Sequence, residues 1–536
     1  MTLSDLVKEV REEIRHDAVS VRKLAEVEVY VNAIATYLGL GVSRLSDIFN
    51  ALCRWENTKT QVRNLFARQA IPMLWDFAEP NALGSAAGDY SITLKTIIRV
   101  ISNLGQGVPG LVAQQDAITF VINENEPHLV FTTDPPYYDN ISYAELSDFF
   151  YVWMRRSIGD IYPDLFSTLA TPKEQELIAA PHRFGGSKEK ARQFFEEGLR
   201  KAFKRTYEAS HRDYPFTVFY AFKQTETNED ESGSAFKLSA STGWDTMLES
   251  LIQSGFSVTG TWPMRTELGN RPVASGTNAL ATSIALVCRP LPADAPKTTR
   301  RNFVNELKRE LPAALRAMQQ GNIAPVDLAQ ASIGPGMAVF SRYKQVLESD
   351  GTPMRVRTAL QLINQTLDEY FTEQEGEFDA DTRWALTWFE QHQFEDGSFG
   401  DAETLSKAKV TSVQGLASAG ILAAKAGKVR LLRRDELPHH WNPTTDLRVP
   451  VWEATQHLIH ALDRQGESGA ANLMEQLGDR GQFARDLAYR LYSICDRKGW
   501  TQEAIAYNSL VTSWSEISRL TATRQPEKQG ALALGI

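Results

Sequence analysis

The fold turns on HLVFTTDPPYYDNISYAELSDFFYVW, residues 128–153. The apolar and β-branched start, HLVFTT, reads as a short strand. Pro135 and Pro136 supply no backbone N–H, so the strand ends at Asp134. YAELSDFFYVWMRRSI then carries apolar residues at helical spacing, with Asn140 or Ser142 in position to cap it. A strand, a tight exit and a helix make one α/β step. In open α/β sheets, ligands bind beyond the carboxyl ends of the strands. Asp134 and Tyr137 therefore stand where a ligand is expected.

The same alternation extends on both sides. Between 109 and 290, the β-rich runs GLVAQQDAITFV, HLVFTTD, FTVFYAF, FSVTGTWPM and ATSIALVC are separated by helical runs. This predicts a mainly parallel sheet with crossover helices. The last two runs have only the turn-rich RTELGNRPVASGTNA between them, which predicts an antiparallel pair. Residues 1–108 are expected to be a helical segment packed on this core. LVKEVREEI, the run from 27 to 55, TQVRNLFARQAI and SITLKTIIRVISNL show helical periodicity, and 71–92 reads as a loop. PLPADAPKTT (290–299) reads as a linker. Residues 300–530 then read as a mostly α-helical domain, a candidate target-recognition or partner-binding region, with a frayed end after it.

Composition narrows the classes. The chain has 536 residues, a net charge of −9 and 43% hydrophobic residues, which suits a multidomain globular protein without a generally basic coat. No apolar run has membrane-spanning length, and the charged, helix-like N-terminus does not read as a signal peptide. The three cysteines are far apart, which fits a reducing cytoplasm and excludes CxxC zinc patterns. The histidines show no metal-ligand spacing, and His439-His440 reads as incidental.

The residues at the strand tip suggest a chemistry. A carboxylate beside a backbone carbonyl forms a paired acceptor, which suits an exocyclic amino group with two N–H donors. Tyr137 offers a flat face to a base drawn out of its stack. Here Asp134-Pro135-Pro136-Tyr137 resembles the catalytic motif of the adenine-specific amino-methyltransferases, which use S-adenosylmethionine. The longer phrase DPPYYDNISYAELSDFFYVW resembles a subgroup of large prokaryotic adenine-specific DNA methylases that carry an N-terminal domain of unknown function. RQAIPMLWDFAE, GTWPMRTE, SGTNALATSIALVCRP and IAPVDLAQASIGPGMAVFSRY are similar to the same subgroup.

The resemblance implies a partial Rossmann-like class I methyltransferase sheet (strands 3–7) and a DNA adenine-N6 methyltransferase activity, with double-stranded DNA and a flipped base as substrate. Asp134 and the Pro135 carbonyl would accept from the amino group, and Tyr137 would stack on the base. Asp116 would contact the cofactor adenine. Tyr138, Asp139 and Asn140 would line the base pocket or cap the next helix. Trp262 and Arg265, at the tip of the late hairpin, would contact the target or play no part. The aromatic run Phe149, Phe150, Tyr151 and Trp153 is expected to be core. The basic residues of the 188–205 helix alternate with glutamates and are expected to form a solvated face.

One part of the pattern is absent. The glycine-rich cofactor loop has no counterpart: NALGSAAGDY (81–90) follows no strand, and IGPGMAVFS (333–341) follows a helical stretch. The chain therefore resembles the C-terminal half of such a methylase, with the cofactor loop expected on a separate N-terminal half. Two alternatives stand beside this reading: an RNA base methyltransferase, and an inactive remnant or nucleic-acid-binding scaffold subunit.

Overall fold

A computed structural model describes residues 2–20, 24–66, 70–71, 73–84, 88–105, 107–120, 129–138, 141–220, 242–265, 282–438 and 440–524. The described residues are mixed α/β but mostly helical, 58% helix against 10% strand, with sheet in small pieces. It divides into two compact units: Met1–Ile122 with Pro136–Arg205, and Asn123–Pro135 with Thr206–Ile536. The division falls inside the motif, between Pro135 and Pro136.

The first unit is built on α1 (Leu3–Val19), α2 (Leu24–Ser46), a small hairpin of β1 (Trp55–Glu56) and β2 (Gln61–Val62), α3 (Tyr90–Asn103), α4 (Tyr143–Ile158) and α5 (Lys188–Ala209), whose last turn belongs to the second unit. Val7, Ala35, Val42 and Ile158 form a core of α1, α2 and α4, flanked by Trp153 and Met154. Gly39 is required where α2 meets α4, because a Cβ there would press on Ile158 at 2.9 Å. Phe149 and Phe150 pack on Phe66, with ring centroids 5.5 and 5.4 Å away. The aromatic run is thus core packing. On α5, Arg192 pairs with Glu189 and Lys201 with Glu197, a solvated face of helical ion pairs.

The helical periodicity overreached in one place. The helix expected over 27–55 stops at Ser46, and TQVRNLFARQAI does not continue it. Asp47 is the physical reason. Its carboxylate accepts from the Asn64 side chain (2.6 Å) and the Phe66 amide (3.3 Å), while Gln61–Val62 pairs with Trp55–Glu56. The chain is folded back on itself.

The second unit opens with β3 (Thr132–Thr133) and continues with β4 (Phe216–Tyr220), α6 (Thr242–Gln253), β5 (Phe256–Arg265) and β6 (Thr282–Pro290). These strands form a four-stranded sheet in the order β3-β4-β6-β5, with β3 parallel to β4 and the other pairs antiparallel. The expected antiparallel pair is present as β5–β6. The strand expected at 109–120 is not: its described residues lack regular structure, and Leu111 and Val112 are almost wholly exposed. An apolar run becomes a strand only where a partner pairs with it.

Lys297–Thr299, expected as linker, forms β7, which pairs in parallel with β8 (Gln345–Leu347). Between them lie α7 (Arg300–Gln320) and α8 (Pro325–Ser341), and α9 (Val356–Gln374) follows. The chain then runs through α10 (Ala380–His392), β9 (Gly397–Ser398), α11 (Phe399–Ala408), α12 (Val413–Ser418), β10 (Leu422–Lys425) and β11 (Lys428–Leu431). It ends in α13 (Val451–Leu477), which is broken at Gly466, α14 (Arg480–Lys498), α15 (Thr501–Thr512) and α16 (Trp514–Arg524). Trp384, Trp388, Trp452 and Trp514 are fully buried in this region, and Phe389 meets Trp452, Trp500 and Tyr507 edge-on. No described helix is long and apolar enough to cross a membrane.

Candidate amino-group site

β3 has only two residues because the prolines behind it have no N–H to give. Its pairing is nevertheless fixed. The Leu129 amide donates to the Ala209 carbonyl (3.0 Å), the His211 amide donates to the Leu129 carbonyl (2.9 Å), and the Thr217 amide donates to the Phe131 carbonyl (3.0 Å). These bonds hold the strand that carries Asp134 against β4. The Asp134 side chain is exposed at the strand's carboxyl end, and Pro135 is half-buried.

Strand directions decide which residues share that edge. β3, β4 and β5 all point the same way. Thr133, Val218, Leu286 and Thr261 form one row across the sheet. Asp134 is one residue beyond that row, level with Trp262. The two lie on opposite margins of the sheet, three strand spacings or roughly 14 Å apart. Trp262 is 68% exposed, and Arg265 ends β5 opposite Thr282. The topology thus places Asp134, Trp262 and Arg265 on one edge without bringing them into one pocket.

Within the first unit, Tyr137 and Tyr138 are both half-buried. Tyr138 has a left-handed backbone (φ 55°), uncommon for a bulky residue and typical of functional or tightly held turns. Its carbonyl accepts from the Ala179 amide (2.9 Å), and its ring meets Phe195 edge-on at 5.3 Å. That ring is part of the packing against α5. Asp139 and Asn140 lie outside the described residues. Asp116 is in a turn, where its carboxylate accepts from the Ile118 amide (2.8 Å), instead of at a strand end.

A charged network that the sequence does not reveal fixes the start of α4. Arg183 donates to both oxygens of Glu145 (3.0 and 2.5 Å), to Glu176 (2.5 Å) and to the Lys173 carbonyl (2.8 Å). Glu176 also accepts from the Ala144 amide (3.1 Å), and Lys173 pairs with Asp148 at 2.8 Å. Burial works against the charge on Glu145, yet the hydrogen bonds from Arg183 and His182 hold its pKa below the usual carboxylate range. Glu145 and Arg183 are 38 residues apart, so no local pattern could have paired them.

The described residues do not fit S-adenosylmethionine. β3 is the last strand on its side of the described sheet, so no strand there delivers a glycine-rich loop. In 81–90, Gly88 packs on Pro80 and Asp89 caps α3 through the Ser91 and Ile92 amides. Gly334 and Gly336 lie inside α8. A Cβ on Gly334 would fall into the Thr261 side chain of β5, and one on Gly336 would meet Ile363 of α9 at 2.5 Å. These glycines serve close helix packing. Among the described residues no three His, Cys, Asp or Glu side chains converge as a metal set.

Residues 379–532 are similar to a family described as a domain of unknown function (DUF8807). No curated protein and no solved structure matches the chain.

Proposed function

We propose that this chain is the base-binding half of a DNA adenine-N6 methyltransferase and acts with a companion half that holds the methyl donor. One observation carries the reading. The Asp134-Pro135-Pro136-Tyr137 sequence begins at the carboxyl end of β3, in a sheet whose parallel pair β3–β4 is followed by an antiparallel hairpin. That arrangement is compatible with the later strands of a Rossmann-like methyltransferase sheet. The Asp134 carboxylate and the Pro135 carbonyl accept the two N–H groups of the adenine amine, and Tyr137 covers the face of the flipped base. The work of these residues is orientation: they fix the amine where its lone pair can react.

The test is transfer of labelled methyl from S-adenosylmethionine to adenine in duplex DNA. It is run on this chain alone and with a protein carrying the glycine-rich loop. Transfer is expected only in the pair, and Asp134→Ala is expected to lower it about 100-fold or more. Equal transfer by wild type and Asp134→Ala would sink the reading. So would transfer to RNA alone.

A further inference from the structure

The segment 379–434 folds as helix, strand, helix, helix and hairpin, α10-β9-α11-α12-β10-β11, with strand order β10-β11-β9. This is the topology of a winged helix-turn-helix. α11 and α12 are joined by a four-residue turn, Lys409–Ser412, the spacing of the DNA-binding helix pair. Val410 in that turn takes a left-handed backbone (φ 61°) and is 85% exposed, a strained placement for a β-branched residue. α12 buries Val413 and Leu416 and presents Gln414, Ala417 and Ser418 outward. These are small groups and hydrogen-bonding groups of the kind that reach base edges.

Charge points the same way. In a chain of net charge −9, the stretch Thr404–Arg434 holds seven Lys or Arg and no Asp or Glu; Lys407, Arg430, Arg433 and Arg434 are paired with Glu403, Glu436, Glu395 and Glu503, and Lys409, Lys425 and Lys428 are the cations that remain for a ligand. At the hairpin tip, Lys425 and Lys428 are cross-strand partners around an Ala426-Gly427 turn in which both residues have positive φ. Like charges placed opposite each other destabilise a hairpin, and a phosphate between them would remove that cost. Lys428 also approaches Asp396 at 3.4 Å, but the pair is exposed and holds the lysine weakly.

We infer that residues 379–434 form a winged-helix module that binds duplex DNA, with α12 in the major groove and the Lys425/Lys428 tip and Lys409 on phosphates. The inference shares its partner with the proposed methyl transfer but rests on different residues, and it needs neither a methyl donor nor a companion. Fluorescence anisotropy of the full chain with a labelled duplex, over a range of salt concentrations, tests it. The double variant Lys425→Glu/Lys428→Glu should bind about tenfold more weakly or worse, and its log–log salt slope should flatten by about two. Lys344→Glu/Lys498→Glu makes the same charge change at two other exposed positions and should shift binding less than about twofold. Equal losses in the two double variants would overturn the inference, as would no duplex binding by wild type or tighter binding of single-stranded RNA. Failed methyl transfer with tip-dependent duplex binding intact would sink only the methyltransferase reading.

Discussion

The first unit and the α10–α16 region differ in how much large apolar surface they leave exposed. In the first unit, Trp75 and Met73 are almost wholly exposed, and Ile98, Val100 and Leu104 along α3 face outward. In the α10–α16 region, Trp384 stacks on Trp388 at 5.1 Å, and Trp384 donates its indole N–H to the Ala402 carbonyl (3.2 Å). One region closes its own core. The other, among its described residues, leaves several large apolar side chains exposed.

The contrast can be broken or sharpened by substitution. The largest effect is expected at Trp388→Ala, which empties a fully buried site. It should destabilise the C-terminal region by about 3–5 kcal/mol in denaturant unfolding. If it costs no more than a surface change, the core is not sealed as described. Gly334→Val should cost about 1–3 kcal/mol by forcing α8 off Thr261 in β5, read from the same unfolding curves.

A pH effect should come next, from α13. Glu453 is buried against Gly420, and burial together with nearby Asp446 raises its pKa to about 8. Between the ordinary carboxylate value and about 8 the unfolded chain ionises at this position and the folded chain does not. Glu453 therefore favours folding at low pH, and that contribution is lost as pH rises towards about 8. Glu453→Gln should remove this decline, read as a flatter plot of stability against pH across that range. His457 acts in the opposite sense. Burial, and the charge of His460, lower its pKa to about 4, so its contribution is complete above the ordinary histidine value and is lost as pH falls towards about 4. The smallest effect is expected at Trp75→Ala, within about 0.5 kcal/mol for the chain alone. If the proposed two-chain reading holds, Trp75→Ala should also weaken association of the pair, measured by titration.

Much of this was legible in order along the chain. α4 covers the helical run read at YAELSDFFYVWMRRSI residue for residue, and α5 lies where a helix was expected over 188–205. Asp134 at a strand tip followed from two prolines. The candidate site was less legible. Asp116, read as a cofactor contact, accepts from the Ile118 amide in its own turn, and Tyr138, read as lining a pocket or flanking a helix cap, packs on Phe195. Neither the Arg183 network nor the α10–β11 module left a local signal, because Glu145 finds Arg183, and β11 finds β9, only across tens of residues.

The sequence by itself determined where α4 forms and where β3 must stop, because helix hydrogen bonds close within four residues and a proline lacks a donor wherever it stands. Only the tertiary structure decided that 109–120 stays unpaired, that Gln61–Val62 turns back on Trp55–Glu56, and that Gly334 and Gly336 are packing glycines. Each of those outcomes depends on which distant segment arrives as a neighbour, and a strand or a close helix contact has no stability until that neighbour is in place.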